Sequence, residues 1–344
     1  MKQLITTTLL FLLLLFTISS CNVFKKNKTY YESGNLKENG LFDKNGKKTG
    51  EWKSYYEDGA LFEINNYKNG VMMGESKRYF ENGNLMDIGN HTNNRPTGEW
   101  KTYYKDRELR EIGTYKEGRC IGEWKEYYKN GQIKYIDKFD QNGKRETGEW
   151  KEFYDNGKIK VITNYINGEY NGERKSYYEN EKLNRIGKYE NNAEIGEWKT
   201  YYENGQLEKI ENYENGKKTG EWKEYYYSDI LLSSNVEENM FLKSIEHFAN
   251  DKRIGKWNTY YRNGVLKSSN TYDIGRHTGE SKENYENGSL KIVGYYENSD
   301  QIGEWKTYYP NGKLKLVAYF EKGNQTGDWQ YYDQQGDLIK IEKH

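Results

Sequence analysis

Gly50-Glu51-Trp52-Lys53-Ser54-Tyr55-Tyr56-Glu57-Asp58-Gly59-Ala60-Leu61-Phe62-Glu63-Ile64-Asn65-Asn66-Tyr67 is the stretch that decides the fold. A short aromatic run (51–56) precedes Asp58-Gly59, and a second run (61–67) follows it. That arrangement reads as a β-hairpin, with Asp-Gly as a two-residue type I′ turn. Asn-Gly holds the same place at Asn82-Gly83, Asn130-Gly131, Asn204-Gly205 and Asn287-Gly288. Counting outward from the corner sets Tyr56 against Leu61, Ser54 against Glu63, Trp52 against Asn65 and Gly50 against Tyr67. Gly50, Trp52, Ser54, Tyr56, Leu61, Glu63, Asn65 and Tyr67 then share a face. Glu51, Lys53, Tyr55, Phe62 and Ile64 take the other. The ring of Tyr67 is expected to cover the bare backbone of Gly50. The Trp face holds more apolar surface and is expected to line the inside of any curve in the sheet.

The pattern recurs. Gly-Glu-Trp-Lys, or a close variant, starts at Gly50, Gly74, Gly98, Gly122, Gly148, Gly172, Gly196, Gly220, Gly255, Gly279, Gly303 and Gly327, here copies 1 to 12. The spacing is 24 residues, except for one interval of 26 after Gly122 and one of 35 after Gly220. A partial copy precedes them at Tyr30-Tyr31-Glu32-Ser33-Gly34-Asn35-Leu36. One hairpin cannot bury enough surface to offset the ordering of its own chain, so neighbours must stack. The expectation is an all-β chain: an elongated, single-sheet β solenoid of about 26 strands, on the order of 120 Å long. The array should occupy residues 30–344, behind a signal peptide at 1–20 and a tether at 21–29.

The repeat also breaks. Ser76, Arg174 and Ser281 replace the Trp in copies 2, 6 and 10. Glu-Trp-Lys-Thr-Tyr-Tyr recurs in copies 3, 7 and 11. An older four-copy unit, later duplicated, accounts for both. The 26-residue interval places two extra residues in the loop at 140–147. The 35-residue interval places 11 extra residues at a hairpin tip between Tyr226 and Leu242. In that insertion (227–241), Ile230, Leu231 and Leu232 and then Met240 and Phe241 flank a polar segment. A lengthened hairpin and a short helix, with Asn235 and Glu238 at capping-box spacing, both fit. Those five apolar residues are expected to touch a partner. The alternative is drift in a tolerant loop.

Tyr201-Tyr202-Glu203-Asn204-Gly205-Gln206-Leu207, followed by Asn212-Tyr213-Glu214-Asn215-Gly216-Lys217-Lys218-Thr219-Gly220-Glu221-Trp222-Lys223, resembles the MORN repeat. It is closest to the bacterial variant often labelled antitoxin-like. The resemblance covers about residues 30–344. It implies a scaffold or an interaction module for membranes or proteins.

The N-terminus reads as an export signal. Lys2 gives the positive start, and residues 4–18 form an apolar stretch broken only by Thr. Fifteen residues fall short of the ~20 that span a bilayer as a helix. The stretch ends in Ile18-Ser19-Ser20-Cys21, which resembles the lipobox of bacterial lipoproteins. That resemblance implies cleavage before Cys21, diacylglyceryl and acyl chains on Cys21, and anchoring by two or more chains. Asn22, where inner-membrane lipoproteins often carry Asp, implies sorting to the outer membrane.

Composition narrows the function. The 53 Lys and Arg balance the 53 Asp and Glu, so no basic excess exists to hold nucleic acid. Thirty-five Tyr, 11 Phe and 9 Trp are too many rings for a solvated chain. Cys120 reads as a tolerated loop thiol, and with Cys21 lipidated no intrachain disulfide forms. His91 and His344 fall at the final Tyr position of a copy, His247 beside it, and His277 in a connecting loop. None has metal-ligand spacing. Asp140-Gln141-Asn142-Gly143 has part of a calcium-loop composition, but turn chemistry reads it better. Recurrent Glu and Lys, such as Glu197 and Lys199, read as cross-strand pairs on a wet face. No catalytic motif, metal site or cofactor site is expected. Two functions follow: an exported, lipid-anchored scaffold for a protein or envelope partner, and a glycan- or cell-wall-binding module.

Overall fold

The computed structural model describes residues 24–228 and 241–344. The signal peptide, Cys21, and Ile230, Leu231, Leu232 and Met240 lie outside the described residues. Two compact units are present: Met1–Glu146 with Asp155–Gly157, and Thr147–Tyr154 with Lys158–His344.

In the first unit, hairpins follow one another in an antiparallel ladder. Lys25–Tyr30 pairs with Leu36–Phe42, Lys48–Tyr55 with Leu61–Lys68, and Val71–Tyr79 with Leu85–Thr92. Arg95–Tyr103 then pairs with Leu109–Lys116, and Arg119–Tyr127 with Ile133–Phe139. Each return strand also pairs with the next hairpin's first strand. In the second unit the same order runs through copies 5 to 12, from Gly148–Phe153 to Leu338–Lys343. Three two-residue segments, Glu169–Tyr170, Lys217–Lys218 and Lys252–Arg253, bring the strand total to 29. Without them the described residues hold the 26 strands that the period requires. No helix occurs among the described residues.

The inner register is as counted: Gly50 faces Tyr67, Trp52 faces Asn65 and Ser54 faces Glu63. The corner differs. Gly59 N–H donates to the Tyr56 carbonyl, and the Tyr56 N–H donates to the Ala60 carbonyl. Gly59 has φ +91°, while Asp58 is not in the left-handed region. A type I′ turn needs positive φ at both central residues, so this is a three-residue loop closed by a left-handed glycine. The longer loop shifts pairing by one, so Tyr55 faces Leu61. A bulge at Phe62 shifts it back before Ser54. Tyr56 therefore packs edge-on against Phe62, at 5.0 Å between ring centroids, and does not face Leu61. Type I′ turns occur instead at most of the connecting loops, as where Asn69 (φ 54°) and Gly70 (φ 82°) join Lys68 directly to Val71; the loops at Asp43 and Asp140 repeat the three-residue form.

The tips use Asn for a different reason. Asn82, Asn263, Asn287 and Asn311 each accept from the backbone N–H two residues on, and each Nδ2 donates to a turn carbonyl of the next copy. An Asp there closes its own turn, as Asp58 does with Ala60, but has no N–H to offer the neighbour.

Between hairpins the ladder bulges more strongly. Leu41 faces Thr49 and Asn39 faces Lys53, so Gly50, Glu51 and Trp52 together oppose Gly40. Gly50 starts this bulge at φ +67°. A Cβ on Gly50 would meet nothing within 4 Å, so Tyr67 does not cover it. The covered glycine is Gly40, where a Cβ would lie 2.2 Å from the Trp52 ring. Trp100 on Gly89, Trp124 on Gly113, Trp198 on Gly187 and Trp305 on Gly294 repeat the contact. Trp52, Trp124, Trp198 and Trp305 are all buried, Trp198 at 0% exposure. The core is thus the Trp face.

A second link joins the copies. The second Tyr of the pair donates its hydroxyl to the carbonyl that ends the next copy's first strand, as Tyr56 does to Tyr79 at 2.8 Å and Tyr104 to Tyr127 at 2.8 Å. Eight further copies show the same bond.

Three smaller expectations are corrected. Cys120 is in a strand facing Tyr115, not in a loop, because the connecting turn needs only Glu117 and Gly118. His277 is likewise in a strand, facing Tyr272. The recurrent Glu-x-Lys pairs close within one strand, as Glu197 with Lys199 at 2.9 Å, because alternate residues share a face. Lys160–Glu152 and Lys291–Glu283, both at 2.7 Å, are the cross-strand kind.

The insertion is confined to one tip. Tyr225 faces Leu242 in the standard register, and the Tyr226 N–H donates to the Phe241 carbonyl. Tyr227 packs edge-on against Tyr202 at 5.3 Å. Phe241 is 41% exposed. The turn at Asp140 is a backbone device: its carboxylate accepts from the N–H groups of Asn142 and Lys144 at 2.8 Å.

Candidate binding site

Where the Trp column fails, the facing residue changes with it. Ser76 Oγ donates to Asn65 Oδ1 at 2.6 Å, and Ser281 Oγ to Asn270 Oδ1 at 2.7 Å. A large ring on a glycine has been exchanged for two small hydrogen-bonded side chains. Copy 6 sets Arg174 across from Gly187 and carries buried Thr163 in the preceding return strand.

The residue two before each copy's Gly decides what fills the gap. In copy 6 it is Tyr170, with ring centroids 4.8 Å from Tyr165 and 5.5 Å from Tyr189. In copy 10 it is His277, stacked between Tyr272 at 5.0 Å and Tyr296 at 3.8 Å. The ring column of the second unit then runs unbroken from Tyr213 through Trp222, Phe248 and Trp257 to Trp305, Trp329 and His344. In copy 2 the residue is Met72, which has no ring. The column stops at Tyr67 and resumes at His91, which meets Trp100 at 5.2 Å.

A cavity of about 360 Å³ opens at this gap, wholly within the first unit. Two rows of facing residues build it. The first crosses the strands as Glu63, Arg78, Asp87, Thr102 and Glu111. The second carries Met72, His91, Pro96 and Tyr115. Ser76, Trp100 and Trp124 complete the lining. Arg78 grips Asp87 through two bonds, Nη2 at 2.7 Å and Nε at 3.0 Å, and the Asp87 side chain is only 4% exposed. That hydrogen bond raises the Arg78 pKa further. Among the described residues, Glu63 and Glu111 have no cationic partner within ion-pair distance, although Glu63 stands across the ladder from Arg78. Burial raises the carboxyl of Glu111 above its usual range. Burial lowers His91, which keeps that ring neutral, and its Nδ1 is buried without a hydrogen-bond partner. Tyr115 is pushed up to about 12 by burial, and the Cys120 thiol beside it is also raised by burial. The chemistry on offer is recognition: two unpaired carboxylates, indole and phenol faces, and one fixed ion pair. Among the described residues, no group of three His, Cys, Asp or Glu could hold a metal ion.

The sequence pattern alone marks none of these lining residues as a site. The five apolar insertion residues fall in the second unit, and only Phe241 among them is described. The signal that could have found the cavity is the substitution Trp to Ser at position 76 without a ring at position 72.

No curated protein matches the chain. Among solved structures, three crystal structures align at a TM-score of 0.18. They are TcdB2-TccC3-Cdc42 (13% identity, 92% of this chain), TcdB2-TccC3 (12%, 93%), and TcdB2-TccC3 without the hypervariable C-terminal region (13%, 92%). This chain spans 22 to 24% of their length, and at that TM-score they carry no argument. The profile of the MORN repeat variant matches residues 26–44, 48–69, 74–93, 121–141, 146–167, 170–191, 194–215, 253–273, 278–298 and 301–322. Those ten segments make up more than half of the chain, which belongs to the MORN repeat variant family.

Proposed function

We propose that this chain is a non-enzymatic scaffold, held in a bacterial outer membrane by lipid on Cys21, that presents its repeats to a protein or envelope partner. The observation that carries the binding role is the Trp face itself. One ring column and one row of charged side chains recur from copy to copy and open into a cavity where copy 2 departs from the pattern. A surface built by repetition offers many equivalent contacts, which suits binding and not a single reacting centre. The anchor rests on Ile18-Ser19-Ser20-Cys21, outside the described residues. An envelope glycan is the second reading. It is favoured by Tyr30 and Tyr295, exposed by 57% and 49%, aromatic rings of the kind on which sugar rings stack.

The test uses the full chain and Cys21→Ala in a bacterial host. A fatty-acid analogue should label the first and not the second; equal label overturns the anchor. Cross-linking capture from the envelope, run beside a glycan and peptidoglycan panel, separates the two readings. A specific protein supports the first, and glycan binding alone supports the second.

A further inference from the structure

We infer that the copy 2 cavity is a binding site for an organic cation, an alkylammonium or guanidinium group, held between the indoles of Trp100 and Trp124 and the carboxylates of Glu63 and Glu111.

The chain's other copies supply the argument. Lys48 Nζ stands 4.0 Å from the Trp52 ring centroid, Lys218 Nζ 4.3 Å from Trp222, and the guanidinium carbon of Arg253 4.4 Å from Trp257. All three cations come from the position two before the copy's Gly. Arg185, from the neighbouring row, lies 4.3 Å from Trp198. A cation over an indole is therefore a recurrent element of this fold, held by the ring's negative face.

Copy 8 offers a parallel within the chain. A cavity of about 260 Å³ there is lined by Trp222 and Lys218 with Glu211, Glu224 and Glu246, and also by Lys209, Lys223 and Ser244. The lysine of the chain itself sits on the indole among carboxylates. In copies 3 and 4 the residues at the lysine's position are Pro96 and Cys120. No Lys or Arg stands over Trp100 or Trp124 among the described residues. The indoles are retained, the carboxylates here come from the row of Glu63 and Glu111, and the cation is missing. The only guanidinium lining the cavity, Arg78, is committed to Asp87. Loss of the Trp at Ser76 supplies the room that an entering side chain or small amine requires. This site does not depend on the lipid anchor or on the identity of the envelope partner, so it can fail without touching the scaffold reading.

The test is titration of the full chain, solubilised in non-ionic detergent, by ligand-observed NMR. The probes are N-acetyl-lysine amide, N-acetyl-arginine amide, putrescine and the neutral isostere N-acetyl-norleucine amide. At least one cation should bind ten-fold or more tightly than norleucine amide. Preference for a capped amino acid over putrescine assigns the source to a protein side chain, and the reverse assigns it to a free amine. Asn65→Gly with Ser76→Trp, which rebuilds the standard Trp-on-glycine pair, should abolish binding. Glu63→Gln with Glu111→Gln should weaken it at least ten-fold and keeps the volumes, so it decides the matter if the first variant misfolds. Equal binding of norleucine amide, or cation binding unchanged in the carboxamide variant, overturns the site.

Discussion

Copies 2 and 10 carry the same replacement, Trp to Ser, and the same answer on the facing strand, a serine hydroxyl on an asparagine carbonyl. At the position two before the copy's Gly they differ, Met72 against His277, and along the cavity row Arg78 and Asp87 stand where copy 10 has Glu283 and Ile292. In copy 10 the imidazole continues the ring column between Tyr272 and Tyr296. In copy 2 the thioether does not, and a cavity opens beside Arg78, Asp87 and Glu111. Losing the large side chain is therefore insufficient to make a site in this fold. The position two residues upstream must also leave the gap unfilled. Copy 2 departs again at Phe80, which replaces the tyrosine whose hydroxyl links successive copies.

The strongest way to break this comparison is to create a third gap where the column is tightest. Trp198 is fully buried on Gly187, with Arg185 on its face. Trp198→Ala should cost about 3–5 kcal/mol locally, the usual cost of emptying a buried large ring. Because repeat arrays lose stability copy by copy, the effect should appear in hydrogen exchange as faster opening of copies 6 to 8, with distant copies spared. Loss spread evenly over both units would contradict the nearest-neighbour picture.

The comparison sharpens when both gaps receive the standard pair. Asn65→Gly with Ser76→Trp fills an existing cavity and should raise stability, on the order of 1–2 kcal/mol. Asn270→Gly with Ser281→Trp adds the same ring to a column that His277 already occupies, and should lower stability by about 1–3 kcal/mol through overpacking. Thermal melts of the two variants should move in opposite directions. Movement in the same direction would show that position 277 does not do the work assigned to it.

Much of this was legible in the residues, and the failures have particular causes. The period located the hairpins, because the Gly that opens each copy recurs even where the Trp or the Tyr pair does not. The register of Gly50, Trp52 and Ser54 came out right although the turn was misread. The extra loop residue at Glu57 and the extra bulge residue at Phe62 cancel in the count. Asp-Gly fits both turn types, and only the φ of Asp58 separates them. The glycine under five of the nine Trp was visible as Gly40, Gly89, Gly113, Gly187 and Gly294. It was overlooked because straight pairing sets Trp52 against Asn65 in its own hairpin, whereas the contact that buries it crosses to the previous one. The cavity needed two columns read together, and each alone shows only a tolerated substitution.

High pH tests the ring columns of the two units separately. Burial pushes Tyr115 and Tyr213 from 10 up to about 12, so the fold favours their protonated forms. Their contribution is complete below about pH 10 and is lost as pH rises through about 12. Tyrosinate absorbance should show a late-titrating class that appears together with loss of β signal by circular dichroism. Tyr115→Phe and Tyr213→Phe should each remove part of that late class. Full tyrosinate formation near pH 10 with the β signal intact would show that the columns are open to solvent.

The smallest effect concerns the second departure of copy 2. Tyr56 donates to the Tyr79 carbonyl and Tyr104 to the Tyr127 carbonyl, but Phe80 between them has no hydroxyl for the corresponding carbonyl of Tyr103. Phe80→Tyr should restore the bond and add roughly 0.5–1 kcal/mol, the ordinary net value of an intramolecular hydrogen bond. Tyr104→Phe should remove at least as much, because it leaves a half-buried carbonyl without its donor. In copy 10 the link is intact through Tyr285 to Tyr308, so Tyr285→Phe measures the same bond where the ring column is continuous. If the gap in copy 2 loosens its neighbours, the bond will be worth less at position 80 than at position 285. If the two copies give equal values, the cavity is a rigid feature of the first unit and not a weak point in its ladder. A rigid cavity is what a preformed cation site requires, since a loose one would spend binding energy on ordering its own walls.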